Sequence, residues 1–277
     1  MGPWLPFALS ALAVWSIQRV VTKVALVRWS TAYFYRLNAF LSLAVYVPFA
    51  FVYRPDPAGI PGAFGLSVLM AGTFWVTTEA TRRGPIGLVA PLTAMSPALT
   101  VVLALIFLAE RPPAVALGAV PLGLLSAALL AFRPTAPGAL AGWVGLAVAS
   151  LVMQGAGAFI AKVLVTGSGP TDLLLTSASV QLAVGVVIAR REPIAADRLV
   201  HRRGLIIVGT LVAAAFATIG YLYALSVGPA SLIVPLVATS PSLAGLLGVV
   251  VLREPSTPRQ IVAIALGTAA ALLLATG

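Results

Sequence analysis

The sequence predicts an all-α polytopic membrane protein with ten transmembrane helices, arranged as two inverted five-helix repeats. Of its 277 residues, 60% are hydrophobic and only 9% are charged, whereas soluble domains carry about 25% charged residues. Ten apolar runs follow one another along the chain, each with about the 20 residues that a helix needs to cross a bilayer. Prolines recur at a fixed separation in the two halves, and this recurrence predicts the repeat.

The ten predicted helices are separated by charged residues or by clusters of Gly and Pro. In order along the chain they cover residues 4–27, 31–53, 60–80, 85–108, 113–132, 139–165, 171–189, 204–226, 229–252 and 259–276. Most of the connections are only a few residues long, so consecutive helices are expected to be antiparallel neighbours.

The internal repeat is visible when the sequence is slid along itself. A shift of 144 residues places Gly84-Pro85 on Gly228-Pro229, Pro91 on Pro235, and Ser96-Pro97 on Ser240-Pro241. Three prolines that match at one constant shift indicate a duplication, and we divide the chain into a first repeat at 1–135 and a second at 136–277. Five helices is an odd number, so the second repeat is predicted to enter the membrane in the opposite orientation, as in many secondary transporters.

The composition excludes several functional classes. The chain has no cysteine and a single histidine, His201, which excludes thiolate chemistry and multi-histidine metal sites. We therefore expect no enzymatic activity, no metal and no cofactor. The net charge of +10 comes mostly from basic residues between the apolar runs, so it predicts contact with lipid headgroups and not with nucleic acid.

Short motifs near the helix ends carry a resemblance to a known family. The first half contains Ala80-Thr81-Arg82-Arg83-Gly84-Pro85 and Leu108-Ala109-Glu110-Arg111, and the second contains Tyr223-Ala224-Leu225-Ser226-Val227-Gly228-Pro229-Ala230 and Leu252-Arg253-Glu254. With their Ser-Pro pairs, both halves resemble the EamA-type unit of the drug/metabolite transporter superfamily. The resemblance covers nearly the whole chain. It implies a transport cavity formed mainly by helices 1, 3, 4, 6, 8 and 9, with both termini in the cytoplasm.

Arg19 is the leading candidate for substrate binding. It lies past the middle of the first predicted helix, where an arginine costs about 2.5–3.5 kcal/mol unless it faces protein or water. Trp15 lies one helical turn away on the same face, and Gln154 occupies the position of Trp15 in the second repeat, at a similar depth in the sixth predicted helix. The remaining cavity candidates are Gln18, Trp75, Thr93, Ser96, Tyr221 and Ser240. The alternatives are that Arg19 snorkels outward or pairs with an acid, and that the aromatic residues lie in an interfacial belt.

Prolines are predicted to kink helices four and nine. Pro91 and Pro97 lie in the fourth helix, and Pro235 and Pro241 lie in the ninth. Each proline removes one backbone hydrogen bond and frees the carbonyl group four residues earlier. A freed carbonyl in a membrane needs a partner, so these kinks either line a cavity or only shape the packing.

Charged residues near the helix ends are candidates for coupling or gating. Glu79 lies inside the third predicted helix, and Lys23 and Arg36 approach the same side of the membrane. An acid among cations can relay protons, but Arg82 and Arg83 are also within helical pairing distance of Glu79. Glu110 and Glu254 precede helix starts that contain proline, and both are interpreted as caps of those helices.

The orientation in the membrane is left open by two conflicting indications. Eleven arginines lie in connections that follow odd-numbered helices, and two lie in connections that follow even-numbered helices. The positive-inside rule therefore places both termini outside, whereas the family resemblance implies that both are inside.

The predicted function is secondary transport of a small organic metabolite, such as an amino acid, across the cell (plasma or inner) membrane by alternating access. Export is implied by the resemblance. The expected partners are the small-molecule substrate and the lipid bilayer, and the protein is expected to be a monomer or a homodimer. Two alternatives stay open: a multidrug exporter with an apolar cavity, and a lipid flippase or accessory membrane subunit.

Overall fold

A computed structural model describes residues 2–26, 29, 31–83, 89, 92–131, 142–188, 202–250 and 256–276. These residues form eleven helices and no strand. The helices are α1 (Leu5–Leu26), α2 (Thr31–Val52), α3 (Ile60–Arg83), α4 (Ser96–Phe107), α5 (Ala114–Ala131), α6 (Trp143–Gly167), α7 (Thr171–Ile188), α8 (Arg202–Val227), α9 (Ala230–Ala238), α10 (Ser240–Val250) and α11 (Pro258–Ala275).

The lengths and composition of these helices confirm a helical protein with multiple candidate membrane spans. Seven spans of the described chain are long and apolar enough to cross a bilayer, and one of them runs through α9 and α10 together. Shorter apolar helices account for α4, α5 and α7. The described residues thus contain ten apolar helical segments, which matches the predicted number. The predicted repeat boundary at 135/136 lies outside the described residues.

Two predicted helices are not continuous, and this corrects the sequence-based boundaries. The span predicted at 85–108 has a turn at Ala94–Met95 before α4, and the span predicted at 229–252 is divided at Thr239. In each case a proline, Pro97 or Pro241, lies two residues after the break, where it cannot donate to the preceding turn. Met95 (φ −82°, ψ −2°) and Thr239 (φ −77°, ψ −3°) have nearly the same backbone geometry and are separated by the 144 residues of the repeat.

Helices from one half of the chain pack mainly against helices from the other half. The most extensive contacts are α1 with α8, α3 with α6, α2 with α7, and α5 with α11. Under the predicted repeat, α1 corresponds to α6, α2 to α7, α3 to α8 and α5 to α11. Exchanging the two halves therefore exchanges the α1–α8 pair with the α3–α6 pair and maps the other two pairs onto themselves.

A close approach between α4 and α6 positions the start of α4. The position that a Cβ atom would take on Gly155 lies 2.7 Å from the carbonyl oxygen of Ser96. Thr100 strengthens this contact by donating its hydroxyl to the carbonyl oxygen of Gly155 at 2.9 Å. Only glycine allows the two backbones to come this near. Ser96 and Gln154 are thereby held at the middle of the bundle.

Candidate functional site

A cavity of about 640 Å³ lies between the helices at the middle of the bundle. Seven of the sequence-predicted residues line it: Trp15, Arg19, Ser96, Pro97, Gln154, Tyr221 and Ser240. They come from α1, α4, α6, α8 and α10. We call this space the central cavity.

Arg19 contributes the charged group of the central cavity. It is exposed, and its Nε donates a hydrogen bond to the hydroxyl of Ser240 at 3.2 Å. Ser240 also receives, at its carbonyl oxygen, a bond of 3.3 Å from the hydroxyl of the buried Ser16. Two residues of α1 are thus joined to the first residue of α10. No carboxylate of the described residues pairs with Arg19, so its remaining N–H groups can serve a ligand.

Aromatic and amide groups complete the predicted part of the cavity wall. The rings of Trp15 and Tyr221 are in contact, with centroids 5.2 Å apart. Gln154 donates from its side-chain amide to the hydroxyl of Ser150 at 2.8 Å, and Ser150 is 2.5 Å from the hydroxyl of Thr77 on α3. Gln154 is therefore held in place by a short chain of hydrogen bonds between α6 and α3.

Helices α2 and α7 also line the central cavity, which the sequence did not predict. Tyr35 of α2 and Leu173, Ser177 and Gln181 of α7 line it, as does Thr218 of α8. The sequence did contain an indication that α7 faces a cavity, because Ser177 and Gln181 are polar, lie one helical turn apart and belong to an otherwise apolar span. The cavity runs from Leu173, near the start of α7, to Tyr35, near the start of α2.

Several predicted residues are not among the described residues that line the central cavity. Trp75 is 57% exposed on α3, Gln18 is half-buried on α1, and the hydroxyl of Thr93 donates to the carbonyl oxygen of Val89 at 3.1 Å. Pro235 is buried within α9, and Pro241 is half-buried in the first turn of α10. Pro91 lies outside the described residues.

The carbonyl groups next to the α9–α10 break are hydrogen-bonded within the protein. The backbone N–H of Thr239 donates to the carbonyl oxygens of Leu236 and Val237, and the hydroxyl of Thr239 donates to Leu236 at 2.6 Å. Val237 is one of the carbonyls that a proline was predicted to free. Because these carbonyl groups already have partners inside the protein, the kink at Thr239 is better explained by helix packing than by binding of a ligand. Pro97, the equivalent of Pro241 in the first half, lines the central cavity.

Of the predicted coupling residues, Glu79 and Arg36 are not among the described residues that line the central cavity. Glu79 accepts a hydrogen bond from Nε of Arg83 at 2.6 Å, which is the local pairing that the sequence left open. Arg36 is half-buried where α2 packs closely against Gly185 of α7. Lys23 belongs to α1, but its side chain lies outside the described residues.

Glu110 caps a different helix from the one that the sequence suggested. Its carboxylate accepts hydrogen bonds from the backbone N–H groups of Ala230 and Ser231 at 2.9 and 2.8 Å, and from the Ser231 hydroxyl at 2.5 Å. These groups form the amino-terminal end of α9, where free N–H groups and the helix dipole favour an anion. The helix that follows Glu110 begins after two prolines, which have no N–H to offer.

Lys162 and Asp172 lie on either side of the α6–α7 connection and do not pair with each other. The Lys162 ammonium donates to the carbonyl oxygens of Leu225 and Gly228 at 2.6 and 2.9 Å. Asp172 accepts instead from the backbone N–H of Asp56 at 2.9 Å.

These contacts gather the connections of one end of the bundle, which we call the polar end. It comprises the α2–α3, α4–α5, α6–α7 and α8–α9 connections, with Asp56, Glu110, Lys162 and Asp172 as its charged contacts. The amino terminus belongs to the same end, because Trp4 packs directly against Gly228. Leu173, in the first helical turn after the α6–α7 connection, lines the central cavity, so the cavity wall reaches the neighbourhood of the polar end.

The arrangement is suited to binding a small molecule. Within the described part of the chain, no group of three or more His, Asp or Glu residues could hold a metal ion. The cavity wall is mainly apolar, with Met70, Phe74 and Leu222 among its members, and its polar groups are dispersed. This is the usual composition of a small-molecule site.

Comparisons with known proteins agree with the fold. A family model described as the EamA-like transporter family matches residues 2–132 and 141–276. Twenty-nine chains of solved structures are also similar. One of them, described only as a crystal structure of a protein, is 18% identical, with a TM-score of 0.76 over 98% of this chain and 95% of that chain. No curated protein matches.

Proposed function

The chain belongs to the EamA-like transporter family, whose members are membrane transporters, and from this premise we propose a specific activity. The protein is a secondary transporter that moves a small organic metabolite, such as an amino acid, across the cell membrane by alternating access. Export is the proposed direction.

The central cavity carries this proposal. Its volume of about 640 Å³ lies within the range of about 300–1,000 Å³ that small-molecule sites occupy. Arg19 offers free N–H groups to a carboxylate, and a guanidinium binds a carboxylate through two parallel hydrogen bonds. Trp15 and Phe74 offer apolar surface to the remainder of the solute. A substrate with an acidic group and an apolar body fits these groups better than a cation does.

The packing of the helices supports the alternating-access part of the proposal. Each of the four most extensive helix pairs joins the two halves of the chain, and an exchange of the halves reproduces the same set of pairs. An inverted repeat of this kind can form a second conformation by exchanging the roles of its halves. The hydrogen bonds that join the connections of the polar end support a conformation in which this end is closed, and we propose that the second conformation opens it.

The proposal is tested by solute flux into proteoliposomes that contain the purified protein. Labelled amino acids, small organic anions, lipophilic cations and a fluorescent phospholipid are offered in parallel. We expect saturable flux of a solute that has a carboxylate. Movement of the cations alone indicates a multidrug exporter, and movement of the phospholipid alone indicates a flippase; either result contradicts the proposal.

A further inference from the structure

Asp172 is a buried acid at the polar end that the proposed transport cycle has not yet used. It lies in the first turn of α7 and is only 1% exposed. Its Oδ1 accepts the backbone N–H of Asp56 at 2.9 Å. The carboxyl group thereby ties the α2–α3 connection of the first half to the α6–α7 connection of the second.

The second oxygen of this carboxyl group lacks a hydrogen-bond partner. Among the residues that the structure describes, Oδ2 of Asp172 is buried and accepts no hydrogen bond. Ser168 lies beside it, but the Ser168 hydroxyl donates to the carbonyl oxygen of Leu164 at 3.1 Å. A hydroxyl has one proton to donate, so while this bond is kept Ser168 can only accept from Asp172. Oδ2 is satisfied when it carries a proton and donates it to Ser168.

The packing around Oδ2 favours a proton over a metal ion as the ligand. A side chain at Gly59 would overlap both Oδ2 of Asp172 and the Ser168 hydroxyl, so the Gly59 backbone lies directly against the carboxyl group. A metal ion such as Ca²⁺ or Mg²⁺ needs about six oxygen ligands, whereas a proton needs one acceptor. Gly59 is therefore the residue that allows the carboxyl group to be enclosed.

The charges that face Asp172 also disfavour its ionised form. Asp56, on the α2–α3 connection, is an acid whose charge repels an ionised Asp172. The nearest cation along α6 is Lys162, and its ammonium is held by Leu225 and Gly228. Arg54 at the end of α2 is exposed. The part of α3 from 60 to 78 and the rest of α7 contain no titratable residue.

We propose that Asp172 is a proton-binding site that controls the opening of the polar end. With a proton bound, the carboxyl group accepts from Asp56 and donates to Ser168, and the two connections stay together. Loss of the proton leaves a buried charge beside Asp56, and this charge is relieved when the connections separate and water enters. Because the closed form binds the proton more tightly, rising pH favours the open form, by up to about tenfold per pH unit.

The proton site depends on the proposed transport function only in so far as release of the proton is coupled to movement of the solute. Proton binding and opening of the polar end can be measured without knowing the solute. The chain has no cysteine, so one introduced cysteine is a unique reporter. Ser177→Cys places it on α7 in the wall of the central cavity.

The experiment measures how fast a membrane-impermeant maleimide labels this cysteine from the face that bears the amino terminus. The protein is reconstituted in proteoliposomes, and its orientation is determined with a protease site at the amino terminus. Maleimide reacts with the thiolate, whose fraction rises with pH, so each rate is divided by the rate of the same cysteine in the unfolded protein at the same pH. We expect this labelling ratio to be small at about pH 5 and to rise toward about pH 8, as the polar end opens. A ratio that does not change with pH overturns the proposal.

Two further variants on the Ser177→Cys background assign the effect to Asp172. Asp172→Asn keeps the acceptor for Asp56 and supplies an amide donor for Ser168, so the labelling ratio should remain small at every pH. If this variant keeps the parent's pH profile, another group controls the opening and the proposal fails. Asp56→Asn retains the acceptor that Ala58 uses at 3.0 Å but removes the neighbouring charge. Asp56→Asn should therefore lower the pH at which the labelling ratio reaches half of its maximum. An unchanged half-maximal pH contradicts the proposal, and this test is available even if Asp172→Asn cannot be produced.

Solute flux measured in proteoliposomes of the parent protein, which lacks the cysteine in the cavity wall, separates the two proposals. A labelling ratio that depends on pH without flux of any tested solute contradicts the proposed transport and supports the proton site. Flux with a labelling ratio that is independent of pH contradicts the proton site alone.

Discussion

Arg19 in the central cavity and Glu110 at the polar end are both charged groups within a mainly apolar protein, but their surroundings differ. Among the described residues, Arg19 makes one side-chain hydrogen bond, of 3.2 Å to Ser240. Glu110 accepts three, of 2.5 to 2.9 Å, from the start of α9. The hydrogen-bonding capacity of Glu110 is used by the fold, whereas most of that of Arg19 is left for a ligand. Substitutions at the two positions should therefore separate stability from transport.

The largest effect on stability is expected for Glu110→Ala. This change removes three hydrogen bonds to a carboxylate and leaves the first N–H groups of α9 without an acceptor, a loss of about 3–5 kcal/mol. Thermal unfolding in detergent should show a large decrease in Tm, and Glu110→Gln, which keeps one acceptor, should show a smaller one. The exposed neighbour Arg111→Gln is the matched control. A Tm equal to that of the parent would contradict the structural role of Glu110.

Arg19→Ala should instead weaken substrate binding strongly while leaving the fold intact. Removing one partner of a charge pair costs about 2–5 kcal/mol, so the affinity for a carboxylate solute should fall by about 100-fold. Arg19→Lys, which keeps the charge but not the fork of donors, should be intermediate. Binding and flux in proteoliposomes provide the measurement, and the exposed Ile17→Ala is the control on the same helix. Undiminished binding by Arg19→Ala would make this residue structural, like Glu110.

Ser16→Ala tests whether a residue next to Arg19 serves stability, as Glu110 does, or substrate binding, as Arg19 does. Ser16 is buried, and its single hydroxyl proton is shared between the carbonyl oxygens of Leu12 and Ser240, at 2.6 and 3.3 Å. Its loss should reduce stability by about 1 kcal/mol and alter binding only slightly, as measured by Tm and flux together. Ser10→Ala, at an exposed position whose hydroxyl donates to Phe7 at 2.8 Å, is the comparison. A loss of binding as large as that of Arg19→Ala would place Ser16 in the site.

The smallest effect is expected for Trp75→Ala. Trp75 was a cavity candidate from its sequence position, yet it is 57% exposed and is absent from the described lining of the central cavity. Exposed substitutions usually change stability by no more than about 0.5 kcal/mol, so flux and Tm should both remain near the parent values. A marked loss of flux would show that the cavity extends to this face of α3.

The helices were predictable because their signals are local. Apolar runs of about 20 residues suffice to indicate membrane spans, and the repeat of prolines indicated which helices correspond. The breaks at Met95 and Thr239 were harder to predict from the sequence, because a proline predicts a kink but not whether the helix continues through it. Arg19 could be singled out because a charge inside an apolar run is conspicuous in the sequence itself.

The partners of the charged residues could not be predicted in the same way. Glu110 and Ala230 are 120 residues apart, and nothing in the motif around Glu110 shows that it caps α9 instead of the helix that follows it. Asp172 and Asp56 are separated by 116 residues and belong to different halves of the chain. Tyr35 and Gln181 were overlooked because lining a cavity depends on which face of a helix its neighbours leave uncovered.

The sequence by itself determined the membrane class of the protein, the number of its apolar helices, the recurrence of motifs between its halves and the unusual position of Arg19. These properties follow from hydrophobicity and spacing along the chain, which are local. The tertiary structure decided that α2 and α7 join the cavity wall, that Glu110 caps α9 and that Asp172 is enclosed at the polar end. These arise from contacts between halves, which form only when distant helices pack and bring their termini to the same end of the bundle.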